Sequence, residues 1–303
     1  MTTPLFSESH LQRLTIEALK NQLRSKLGGM VRAVKYINAG NIIYRGIKWD
    51  NRPDLISQLS YPPTEIAQLG RLNRSGQAVF YASCAPPGVF YELKAGEGSR
   101  IAFSQWEVKE PLWMHNLGYH ADALALLGAA PNSARLPLIE PIPNETPHNK
   151  RLRKKVALAF TVDVPAGFEY RYKQSVALTE FWCKHQQRLP VYSGGPETEE
   201  IAGVVYPSLQ MRGDADNLML WPKFVHSSLT LRQVQYVLVE KADHTCLSFS
   251  FLTLAIASEF ANGMSIKWCD DLPAENARRC HIALENGKWV QRDGQGNIYG
   301  VNP

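Results

Sequence analysis

Gly70-Arg71-Leu72-Asn73-Arg74-Ser75-Gly76 runs through Gln77 straight into the apolar stretch Ala78-Val79-Phe80-Tyr81-Ala82. Two glycines, two arginines and two small polar side chains make a loop suited to a pyrophosphate, because backbone N–H groups and guanidinium donors can converge on one anion. The stretch that follows reads as a compact strand. The glycine spacing fits neither a Walker loop nor a dinucleotide fingerprint. Many basic turns share this local composition, so its meaning depends on what surrounds it.

Upstream, Asn41–Tyr44 reads as a short strand that ends in Tyr44-Arg45-Gly46. An arginine at a strand end, beside a permissive glycine, can present a rigid fork to a phosphate or carboxylate. The plainer reading is a surface ion pair. Downstream, Val89–Lys94 reads as one or two helical turns carrying Glu92. A carboxylate near an aromatic ring such as Tyr81 suits a glycosidic reaction with an oxocarbenium-like transition state. Taken singly, the two residues read as a solvated helix glutamate and a half-buried tyrosine. Further on, Val205-Tyr206-Pro207-Ser208 breaks a strand and turns out a serine, followed by Asn217-Leu218. With no histidine–acid pair nearby in sequence, a serine hydrolase has little support.

The remaining pattern predicts a helix over Ser9–Leu27 stopped by Gly28-Gly29, a strand over Ile101–Val108, and a helix over Tyr119–Ala129. Pro131 to Pro147 holds five prolines and reads as an extended insertion. Strands are expected at Leu158–Val162, Ile201–Tyr206, Asn217–Trp221 and Gln233–Val239, with a helix near Ser175–Gln186. A buried helix is expected over Thr245–Phe260, then a terminal hairpin at Asn286-Gly287. Strands and helices mix without strict alternation, which favours an α+β fold over a doubly wound one.

At 303 residues, 45% apolar and 20% charged, the chain is an ordinary globular sequence long enough for a sizeable core. A net charge of +5 is compatible with an anionic small-molecule substrate and too weak to indicate nucleic acid. Five scattered cysteines without a Cys-x-x-Cys pair argue against a disulfide framework or zinc site, and the histidines form no metal constellation. No basic-then-apolar leader and no membrane-length apolar run is present, so a cytoplasmic protein is expected, of the producing cell or of a target cell. Lys150-Arg151-Leu152-Arg153-Lys154-Lys155 reads as a solvated face entering a strand, with an acidic partner protein as the alternative.

In order, Tyr-Arg, Gly-Arg-x-Asn-x-x-Gly, the Tyr-Ala strand, the later glutamate and Tyr-Pro-Ser with Asn-Leu resemble the RES domain, over roughly Ile42 to Val239. The chain has Leu72 where that family more often has an aromatic residue, and Cys84-Ala85-Pro86-Pro87 before the glutamate helix. The resemblance implies an ADP-ribosyltransferase-like split mixed sheet with flanking helices. On that basis residues 1–38 form an N-terminal helical segment, 39–241 the catalytic domain with its insertion near 131–148, and 242–303 a helix and hairpin extension.

It further implies cleavage of the nicotinamide–ribose bond of NAD, by hydrolysis or by phosphorolysis with inorganic phosphate, in a toxin held by a cognate antitoxin or immunity protein. Arg45 and Arg71 would hold the NAD phosphates, with Tyr44 and Asn73 beside them. Tyr81 would pack on the nicotinamide ribose or ring, and Glu92 would stabilise the oxocarbenium ion or orient the attacking group. Ser208 would bond the ribose or a phosphate nucleophile. Asn217, grouped with the NAD-binding set, would fix the turn after Ser208. No metal, prosthetic group, nucleic acid or membrane is expected. A protein ADP-ribosyltransferase, or a non-catalytic interaction protein on the same scaffold, stays open.

Overall fold

The first helix breaks early, and the break is local chemistry. In the computed structural model, which describes residues 4–27, 30, 34–128, 145–185, 200–245, 247–285 and 288–302, the Ser9–Leu27 stretch is two helices. Helix α1 (Glu8–Arg13) is capped by Ser7 and ends at Leu14 in an extended conformation. Thr15 Oγ1 then accepts the Ala18 N–H and starts α2 (Ile16–Leu27). The Gly28-Gly29 stop and most of the Pro-rich insertion lie outside the described residues.

The chain divides into two compact units. The first comprises Met1–Asn38, Pro62–Phe80 and Glu110–Ser227. Its strands β1 (Val34–Ile37), β5 (Leu112–Asn116), β6 (Ile201–Pro207) and β7 (Asp216–Leu220) lie in that spatial order. The β1–β5 and β6–β7 pairs are antiparallel and β5–β6 is parallel, so this sheet is mixed. Every residue of β6 and β7 is buried. Helices α4 (Ala121–Leu126), α5 (Pro147–Phe160) and α6 (Tyr172–His185) belong to the same unit, with α7 (Pro222–Ser228) at its end. Helix α2 packs on α6 through Leu19, Leu23 and Leu27, all fully buried.

The strand expected at Leu158–Val162 is instead the end of α5, and the basic run enters a helix rather than a strand. Thr146 caps that helix by accepting the Asn149 N–H at 3.2 Å, and Pro147 occupies its first turn. Val156, Ala157, Ala159 and Phe160 are its buried face.

The second unit comprises Ala39–Tyr61, Tyr81–Lys109 and Ser228–Pro303. Strands β2 (Ile42–Lys48), β3 (Phe80–Ser83), β4 (Arg100–Val108) and β8 (Leu229–Asp243) pair antiparallel in the order β3-β2-β4-β8. The sheet continues through β9 (Ser248–Ala261), β11 (Arg279–Glu285), β12 (Lys288–Asp293) and β13 (Ile298–Asn302), all antiparallel. β10 (Ser265–Cys269) folds back on β9, and α8 (Glu275–Arg278) precedes β11. The β11–β12 pair bears out the terminal hairpin.

The helix expected over Thr245–Phe260 is therefore a strand, β9. Phe249, Phe251, Thr253, Ala255 and Ala257 are buried and alternate with half-exposed neighbours, the two-residue period of a pleated sheet. Leu252, Leu254 and Ile256 occupy the other phase, so the apolar run hides its alternation. Helix α3 (Pro86–Glu92) buries Val89, Phe90 and Tyr91. Phe90 stacks on Phe103 and Phe251, and Tyr91 meets Phe249 edge-on at 4.6 Å. Both units mix helices with sheet, which makes the chain an α+β protein.

Candidate functional site

Four sequence-derived residues belong to the second unit. Tyr44 and Arg45 are adjacent on β2, so their side chains leave opposite faces of the sheet. Tyr44 stacks on Phe103, and burial together with the nearby Cys84 thiol raises its phenol above the ordinary value. Arg45 Nε donates to the carbonyls of Leu59 and Ser60 at 3.1 Å, and Nη1 donates to the Tyr81 carbonyl at 2.6 Å. The guanidinium thus ties the short 3-10 helix Ile56–Leu59 to β3. Burial pulls its pKa down to about 10, partly offset by the nearby Tyr81 phenol, and it stays a cation at neutral pH.

Gly46 is the reason α3 lies where it does. A Cβ there would sit 2.3 Å from Val89 Cγ1 and 2.9 Å from Leu93 Cδ1, so any larger residue forces Val89 and Leu93 to shift. Glu92, the last residue of α3, is exposed while Phe90 and Tyr91 before it are buried. Helix α3 and Glu92 therefore lie on the Tyr44 and Gly46 face of β2, while the Arg45 side chain leaves from the opposite face. A shallow pocket of about 590 Å³ opens past the end of β2, lined by Lys48, Trp49, Asp50, Ser99 and Arg100 among others. None of the candidate residues lines it.

The other four belong to the first unit. Arg71 Nη1 donates to the carbonyls of Phe160 and Val162 at 2.9 and 3.0 Å, and its guanidinium lies over the Tyr172 ring. Asn73 is buried and its Nδ2 donates to the carbonyls of Gln68, Arg74 and Gln77. Gly76, at φ +76°, donates to the Ala67 carbonyl. The 70–76 loop is thus braced from inside. Ser208 is fully buried, and its Oγ accepts the Met211 N–H at 3.2 Å while its backbone bonds Ala215 and Gly213. The serine closes a tight loop. Asn217 pairs with Tyr206 across the β6–β7 ladder.

Two networks carry no motif and were not singled out from sequence. Glu180, fully buried on α6, accepts Arg74 through both oxygens and Lys20 Nζ at 2.9 Å. Glu17 on α2 contacts both cations from the solvent side, and Lys20 and Arg74 hold its carboxyl below its ordinary value. Asp216, buried beside Asn217, accepts the Tyr119 hydroxyl at 2.5 Å and Lys35 Nζ at 2.6 Å. Only the position of Glu180 in a helix stretch, Val176 to Trp182, whose other residues are apolar except Thr179, offered a signal.

Among the described residues no group of three or more His, Cys, Asp or Glu is arranged to hold a metal ion, and no helix is long and apolar enough to cross a membrane. No protein-family model matches the chain. No curated protein and no solved structure matches it either.

Proposed function

We propose that this chain is an NAD-degrading enzyme of the RES kind, on an ADP-ribosyltransferase-like core, that cleaves the nicotinamide–ribose bond. The observation that carries the reading is the seating of α3 on Gly46. It puts a solvent-facing carboxylate, Glu92, on the helix packed against the Tyr44 and Gly46 face of β2, next to the strand that holds Tyr81. The ordered motifs from Tyr44 to Asn217 support it further.

As the C1′–N bond breaks, nicotinamide leaves with the bonding pair and the ribosyl carbon becomes cationic. The Glu92 carboxylate offsets that charge, and Tyr81 supplies a ring for the flat leaving group. Arg45, oriented by three carbonyls, is assigned a phosphate of the dinucleotide. Water adding at C1′ and losing a proton gives ADP-ribose, and phosphate adding there gives the 1-phosphate of ADP-ribose. The cellular counterpart is a toxin restrained by a cognate antitoxin or immunity protein.

The test is a time course of purified protein with NAD, with and without phosphate, resolving products chromatographically. Nicotinamide release is expected, and Glu92→Gln should lower kcat roughly 100-fold or more with an unchanged melting temperature. No release from folded protein, or full activity in Glu92→Gln, overturns the proposal. Label from NAD fixed on protein would instead make the chain a transferase.

A further inference from the structure

The basic run on α5 forms one face of the helix. At about 100° per residue, His148, Lys150, Arg151, Lys154 and Lys155 share one side, opposite the buried Val156 and Phe160. His148, Lys150 and Arg151 are exposed, and Lys154 and Lys155 are partly so. Arg153 points elsewhere and pairs with Glu145 at 2.7 Å. On the basic face Lys154 pairs with Asp122 of α4. Among the described residues no carboxylate pairs with Lys150, Arg151 or Lys155.

Helix α4 adds a different chemistry beside these cations. Leu126 lies four residues after Asp122, on the same side of its helix, and is 75% exposed. Ala121 and Ala125 are exposed with it. No other large hydrophobic residue of this unit is as exposed among the described residues.

We infer that the α4–α5 face docks an acidic amphipathic polypeptide segment, carboxylates against the Lys150–Lys155 stripe and an apolar side chain against Leu126. Charge complementarity selects an anion, and the leucine selects its kind. A nucleic-acid backbone has no apolar surface for Leu126, and a single strand calls for aromatic platforms that this face lacks. A membrane-surface helix carries a row of bulky apolar residues along its length, whereas this arc of α5 carries one half-exposed leucine, Leu158, among Lys150, Arg151, Lys154 and Lys155. The surface uses none of the residues assigned to NAD, and its test needs no turnover.

The experiment measures binding of the full chain to four probes: a labelled helical peptide of glutamates and leucines, an all-glutamate peptide of equal length, a short DNA duplex, and phosphatidylserine vesicles. The glutamate–leucine peptide should bind best and weaken with salt. Arg151→Glu with Lys155→Glu should cut its affinity about tenfold or more, the effect of losing about 1.4 kcal/mol. Leu126→Ser should weaken that peptide several-fold and leave the all-glutamate peptide unchanged. All three positions are at least partly exposed, so the melts of both variants should match the parent. Preference for DNA or vesicles, no peptide binding, or variants that bind like the parent each overturn the inference.

Discussion

Asn73 shows what a motif letter hides. In sequence it is a loop residue beside an arginine, a candidate for a phosphate; in the fold its amide nitrogen faces three carbonyls inside the loop. Asn73→Asp is nearly isosteric but offers only lone pairs to those carbonyls, whereas Asn73→Ala merely removes the donor. Asp should therefore destabilise more than Ala, with Ala costing about 1–3 kcal/mol. Urea midpoints of the two variants check the order, and equal midpoints would deny the brace. Glu180 makes the same case for charge. It is fully buried against Arg74 and Lys20, so Glu180→Gln leaves a cation pair without its counter-ion at a cost of about 3–5 kcal/mol. A loss below about 1 kcal/mol in urea unfolding would show that Glu17 suffices. Residue types were legible at these positions and their targets were not, because a side chain's partner is set by elements distant in sequence.

Secondary structure was legible where pattern and punctuation agreed. β4, β6 and α6 follow from their apolar spacing, and the turns expected over Val89–Lys94 are α3, which starts earlier, at Pro86. β9 failed because both of its faces carry apolar residues, and α5 failed because its buried turn was read without the charged turns before it. Gly46 was noted only as permissive, yet it is the contact that seats α3. Gly46→Ala should destabilise by about 1–3 kcal/mol through overpacking. Val89→Ala in the same chain should recover part of that loss, because it removes the atom 2.3 Å from the new Cβ. Strict additivity of the two changes in thermal melts would argue against the seating. Helix α4 carries a pH device of its own. His120 caps it, with Nδ1 accepting the Asp122 N–H at 3.2 Å, which requires an unprotonated ring nitrogen. Burial lowers the His120 pKa; Asp122 opposes the shift, and Arg153, Lys154 and Lys150 add to it. The unfolded chain therefore binds the proton more readily, so the cap's contribution is full above the ordinary histidine value and falls as pH drops below it. Amide protection over α4, taken relative to the intrinsic exchange rate at each pH, should fall between about pH 7 and 5. His120→Asn, which caps without titrating, should flatten that profile.

For the whole molecule, composition and irregular order gave the α+β class, and the resemblance set the last sixty or so residues apart as a helix and hairpin extension. In the second unit those residues are strands that continue its sheet. β9 pairs with β8 from Val234–Ala257 to Asp243–Ser248, and β11 pairs with β9 in turn. Phe249 and Phe251 close over Phe90 and Tyr91 of the helix that carries Glu92. Ending the chain after Asp243 would leave β8, 15 residues long, as an open sheet edge, a template for aggregation. It would also strip Phe249, Phe251, Ile282 and Trp289 from a core in which each is at most 9% exposed. At about 1.5–3 kcal/mol for each buried side chain, that loss matches the whole stability of a typical domain, about 5–15 kcal/mol. The truncated chain should lack the second unit's cooperative melting transition, bind a hydrophobic dye, and lose any NAD turnover because α3 no longer has its support. A soluble truncation that melts cooperatively and keeps the parent's turnover would make these strands an appendage after all, and α3 self-sufficient on β2 and β4.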